Sequence, residues 1–146
     1  MDTAVRTTLK ADIDAIEKVC VRWAATESHA IEPQEMAQML ADFYSGIEAA
    51  CVRIVETAEG PLDKGVEGWE TDLLDALVRE VKGKRPAVLT PALKRYLLQF
   101  HNLRSYLRET PGAVPSADML RALLCSMEAT LTQFRSSVLR FLERLS

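Results

Sequence analysis

A histidine followed by two arginines at helical spacing stands in the second half of this chain: His101, Arg104 and Arg108, with Lys94 seven residues upstream. On an α-helix these four residues fall along one strip, which the spacing predicts to face solvent. Imidazole titrates near neutrality and moves protons, while guanidinium groups hold phosphate through charge-assisted hydrogen bonds. These are the minimum parts for metal-independent RNA cleavage, in which a base takes the 2′-hydroxyl proton and cations steady the phosphorane. The two arginines would also lower the histidine pKa by like-charge repulsion, favouring the neutral form a base needs. The plainer reading of the same spacing is a solvated polar face on a bundle helix.

The charge around this group is segregated. Residues 1–81 hold 17 acids against 7 bases. Residues 82–108 hold Lys82, Lys84, Arg85, Lys94, Arg95, Arg104 and Arg108 and no acid, within a chain whose net charge is −3. Such a distribution sets up a local field that draws a polyanion or an acidic partner to one place. A general nucleic-acid binder is usually basic throughout, so any RNA contact is expected to be local.

The elements that must position these residues read as helices nearly from end to end. At 146 residues the chain is expected to form one domain, 1–146, with an apolar fraction of 48% that fits a globular core. Helical periodicity predicts segments at about 3–25, 33–59, 69–82, 91–109 and 116–145. Pro33, Gly60-Pro61, Thr90-Pro91, Pro111-Gly112 and Ser116 supply the starts and stops. Gly83 is placed as the C-cap of the third helix, and Val81 on its inner face. The fourth helix buries Leu93, Tyr96, Leu97, Phe100, Leu103 and Leu107. The fifth buries a longer list that includes Met119 and Leu139. Short connections imply an all-α antiparallel bundle. Phe43 and Tyr44 read as core packing, and mid-helix Gly46 as a point of close helix approach. His29 receives no role.

Cys20, Cys51 and Cys125 lack CxxC spacing and are odd in number, which argues against a disulfide framework or a zinc site. All three read as small buried hydrophobes in a reducing compartment. No run is apolar enough to span a bilayer and the start lacks a secretory pattern, so a cytoplasmic protein is expected. Nothing in the sequence calls for a metal or a cofactor.

Several segments resemble the HepT-like branch of the HEPN superfamily. They are Asp42 to Glu48, Gly68 to Leu74, Arg85 to Thr90, and Phe100 onward, in the right order over about residues 33–146. The resemblance implies a helical bundle that homodimerises, with a ribonuclease toxin activity and a nucleotidyltransferase antitoxin as partner. The family signature is an arginine, four to six residues, a histidine, and often a tyrosine two residues later. The arginine and histidine carry the cleavage, and the tyrosine is the position that the partner modifies with AMP.

This chain departs from that signature. Aligned on Phe100, His101 stands where the arginine belongs, Tyr106 where the histidine belongs and Arg108 where the tyrosine belongs. A tyrosine, with a pKa near 10, is no base at neutral pH. A second registration pairs Arg95 with His101. The expectation is therefore a candidate ribonuclease toxin with His101, Arg104 and Arg95 as catalytic groups and Lys94, Arg108 and Asn102 as RNA contacts. The alternative is a catalytically inactive HEPN-like dimer serving as a protein-interaction or nucleotide-binding module.

Overall fold

The computed structural model describes residues 3–26, 31–113 and 115–145, and His29 lies outside them. It is an all-α bundle of five helices: α1 (Thr3–Thr26), α2 (Pro33–Glu59), α3 (Trp69–Leu77), α4 (Pro91–Glu109) and α5 (Ala117–Leu145). Among the described residues the only extended pairing is an isolated antiparallel bridge between Val81 and Arg85. No helix among them is long and apolar enough to cross a membrane.

The long helix α2 is the axis of the bundle and touches each of the other four. Its sequence explains this, because apolar residues occupy far more than one narrow stripe: Met36, Met39, Leu40, Phe43, Ile47, Ala50, Cys51, Ile54 and Val55 are all buried. Pro33 opens the helix, and Gly60 ends it at φ +93°, a conformation that costs a side-chain-bearing residue free energy. Gly46 faces Ile16 of α1, and a Cβ there would lie 2.6 Å from Ile16 Cγ1. The close α1–α2 approach is thus set by a missing methyl. Arg53–Asp12 at 2.8 Å and Arg22–Asp42 at 3.1 Å add ion pairs along the same seam.

Four expectations about burial and boundaries need correction. Helix α3 stops at Leu77 rather than near residue 82, because its last carbonyls are claimed from outside the helix. Val88 and Leu89 donate their backbone N–H groups to the Leu77 carbonyl, and the Arg85 guanidinium donates to the carbonyls of Ala76 and Arg79. Gly83, at φ +78°, serves the tight turn between Val81 and Arg85 instead of capping the helix, and Val81 is only half-buried. Cys125 is exposed and Cys20 half-buried, so only Cys51 is a buried hydrophobe. Tyr96, Met119 and Leu139 are exposed, because each stands on the part of its helix that no other described element covers.

Candidate functional site

Helix α4 carries the candidate residues, and its start is fixed locally. Thr90 accepts a hydrogen bond from the Leu93 N–H at 3.0 Å, and Pro91 occupies the first turn. Leu93, Leu97, Phe100 and Leu103 face the core. His101 and Arg104 continue the line of Leu93 and Leu97 in steps of four, four and three. They are therefore carried onto the buried flank, and both are buried, at 8% and 3% exposure. The predicted solvent-facing strip does not exist as such: of its four members only Arg108 is exposed, while Lys94 is half-buried.

Arg104 has its charge answered inside the protein. Its guanidinium donates to Glu48 of α2 at 2.5 Å and to the Ser45 hydroxyl at 3.2 Å, and it lies over the Tyr44 ring at 4.7 Å. Glu70 of α3 stands 3.8 Å from Arg104 and 3.7 Å from Arg108, a carboxylate shared by two cations. His101 packs edge-on against Tyr44, with ring centroids 5.8 Å apart, and its Nε2 is 3.4 Å from the Ser105 hydroxyl. Burial lowers the His101 pKa below the ordinary histidine value, and Arg104 lowers it further by repulsion. Glu70 and Glu48 oppose these effects, and Arg108 adds a small depression. Among the described residues, two buried side-chain atoms have no hydrogen-bond partner: His101 Nδ1 and Arg104 Nε.

The wider basic stretch is partly neutralised. Arg85 pairs with Glu59 at 2.8 Å, Lys94 with Asp75, Arg104 with Glu48, and Arg108 with Glu70. All four carboxylates come from the acidic first 81 residues, so folding offsets four of the seven basic residues and leaves Lys82, Lys84 and Arg95 exposed. Arg95, Asn102 and Tyr106 are exposed, on the side of α4 away from Arg104. The Arg95–His101 registration is thus not assembled as a site, since one residue is exposed and the other buried. The structure brings His101, Arg104 and Arg108 together and leaves Lys94, Arg95 and Asn102 elsewhere.

Sequence reasoning did not assign Glu48, Glu70, Ser45 or Tyr44 to this cluster, although all but Ser45 lie in buried or half-buried positions beside Arg104. The available signal was Glu48 itself, an acid set among Ile47, Ala50 and Cys51 on the buried side of α2. Glu48, Glu70 and His101 bring three ligand-type atoms within 4.8 Å of one another. Their chemistry suits a divalent cation, but Arg104 and Arg108 already balance both carboxylates. A dication would add two uncompensated charges to a partly buried site.

Two clefts border α4. The first, about 470 Å³, lies between α2 and α4 and is lined by Gln38, Asp42, Ser45, Arg104 and Arg108. Asp42 there is engaged by Arg22 and Gln38, and the two arginines have their counter-charges in Glu48 and Glu70. The second, about 740 Å³, lies between α4 and α5 and has no charged residue in its lining.

No curated protein and no solved structure matches this chain. A family model described as HepT-like protein does match, over residues 35–145, which takes in α2 through α5 and every residue of the cluster just described. The bundle built around α2, with the resembling segments of α2, α3 and α4 meeting at Arg104, is accordingly that family's, and the chain belongs to the HepT-like proteins of the HEPN type.

Proposed function

We propose that this HepT-like chain acts as the binding component of a toxin–antitoxin pair, with a nucleotidyltransferase as its partner, and that it does not cleave RNA. One observation carries the reading. Arg104, the guanidinium nearest the only described imidazole, is paired with Glu48 at 2.5 Å and sealed under Tyr44, so it has no charge left for a phosphate. His101 beside it is buried, whereas Arg95, the arginine at signature spacing before it, is exposed. The test is RNA incubated with the purified chain, with and without a chelator. Intact RNA, together with stable association with a nucleotidyltransferase, is the expected result.

The ribonuclease reading keeps one observation in its favour: the unpartnered His101 Nδ1 and Arg104 Nε lie one turn apart on α4 and could address a guest if the cluster opened. In that reading His101 is the proton carrier, Arg104 and Arg108 contact phosphate, and Lys94 must first leave Asp75. Metal-independent cleavage lost in His101→Ala would establish it and overturn the first reading. RNA affinity that falls steeply with salt would point the same way.

A further inference from the structure

A groove of about 350 Å³ lies along the seam between α1 and α5. Its floor is apolar: Leu9, Ile13, Val138 and Leu142 are buried there, and Leu139 stands at the edge, 52% exposed. The span matched to the HepT-like family begins after α1, so one wall of this groove lies outside that match. Two cross-links mark its ends. At one end Arg6 of α1 donates to the Leu142 carbonyl of α5 at 3.3 Å, and at the other Arg135 of α5 pairs with Glu17 of α1 at 3.1 Å. The two contacts show that the helices run antiparallel, and they stand about 16 Å apart along α1.

The rim of the groove is polar in one direction. Arg6, Lys10 and Asp14 follow one another in steps of four along one line of α1, two cations and then a carboxylate. Lys10 is exposed and has no ion-pair partner among the described residues. Arg135 has its counter-charge in Glu17. One end of the apolar floor is therefore flanked by cations, and the other by an acid and a satisfied ion pair.

We propose that this groove binds one anionic amphiphile, a medium-chain carboxylate lying along the α1–α5 seam. Its carboxylate sits beside Lys10 in the field of Arg6, where an apolar wall makes charge attraction stronger than in open water. Its alkyl chain covers Leu9, Ile13 and Val138 and meets Leu139. From Lys10 to the level of Glu17 is about 10 Å, room for an extended chain of about eight carbons. The reverse orientation fails, because it sets the carboxylate against Asp14.

Shape and charge select this occupant over others. A peptide helix is about 10 Å across with its side chains, too thick for a groove of this volume. A bilayer surface does not enter a groove crossed by a contact at each end. A cationic amphiphile would gain from Asp14 and be repelled by Lys10 and Arg6, and a neutral one would leave Lys10 unused. Binding here needs neither RNA nor a nucleotidyltransferase, so it stands or falls separately from the toxin–antitoxin reading.

The experiment is isothermal titration calorimetry of the full chain with sodium octanoate, with octylammonium and octanol as head-group controls and circular dichroism as the check on folding. Octanoate is expected to bind one to one and more tightly than either control. Affinity should rise roughly tenfold from hexanoate to octanoate as two more methylenes are covered, then level off in dodecanoate, whose chain outgrows the groove. Lys10→Glu is expected to weaken octanoate by about fivefold, and Leu139→Ser by a similar factor. Lys18→Glu, the same charge change on α1 outside the groove, should leave binding unchanged. No binding of octanoate at millimolar concentration, octylammonium bound as tightly, or Lys10→Glu no weaker than Lys18→Glu would each overturn the proposal. Sedimentation of the chain with phosphatidylglycerol vesicles in the absence of octanoate binding would overturn it in favour of a membrane surface.

Discussion

Glu48 on α2 and Arg104 on α4 meet at 2.5 Å with side chains only 15% and 4% exposed, and this pair joins the two helices that frame the candidate site. Removing one member of such a pair leaves the other as an uncompensated buried charge, which costs about 3–5 kcal/mol. Glu48→Ala is therefore expected to be the more damaging change, because Arg104 would retain only Ser45 and a more distant Glu70. Urea unfolding of Glu48→Ala, Arg104→Ala and the double variant measures it. The double should cost clearly less than the sum of the singles, by about 1–3 kcal/mol. Additive losses would show that the pair does not hold α2 to α4.

Stability is expected to fall on mild acidification through His101. Its pKa is lowered in the folded chain by burial and by Arg104 and Arg108, with Glu70 and Glu48 pulling the other way. The unfolded chain therefore binds the proton first as pH falls below about 6.5. The contribution of neutral His101 is complete above that value and is lost as pH drops toward the lower folded-state pKa. His101→Gln should flatten this part of the stability–pH curve between about pH 7 and 5. An unchanged slope would mean that His101 protonates as freely in the folded chain as in the unfolded one.

Gly46→Ala pits two effects against each other. Alanine is the better helix former by about 1 kcal/mol, but its Cβ would sit 2.6 Å from Ile16 Cγ1, far inside contact distance. Overpacking is expected to win, with a net loss of about 1–3 kcal/mol in thermal or chemical unfolding. Ile16→Ala removes the clashing atom, so the combined variant should lose less than the two single losses added together.

Arg85→Lys is expected to loosen the segment after α3 more than it lowers global stability. The guanidinium reaches Glu59 at 2.8 Å and the carbonyls of Ala76, Arg79 and Pro86 at once, a fork that an ammonium group cannot reproduce. Amide hydrogen exchange over residues 78–89 should accelerate by an order of magnitude or more, as these local bonds open below the global unfolding free energy.

The bundle was legible because helical period, caps and breakers all agree. Glu32-Pro33, Gly60-Pro61, Thr90-Pro91 and Ser116 each mark a true boundary, and each acts through local backbone chemistry. Helix α3 was misjudged at its end because its stop is tertiary: Arg85 and the Val88–Leu89 amides reach back to its carbonyls, and no residue at the helix end announces them. The candidate site was half legible. Spacing put Lys94, His101, Arg104 and Arg108 on one solvent-facing strip, but their environment depends on Glu48 and Glu70, the first of them 56 residues from Arg104, and linear charge counts do not reveal such pairings. Four of the seven bases in that stretch became ion pairs in space for the same reason.

The notch at Gly46 bears on how much of this chain a shortened version could dispense with. The family match begins at residue 35, after α1, yet α1 is seated in α2 by a side chain that enters where a methyl is missing. Trimming the protein to the matched span would strip a hydrophobic wall from its central rod. The truncated product would be expected to precipitate or cluster, and experiments on it would report on that bared wall instead of on the native molecule.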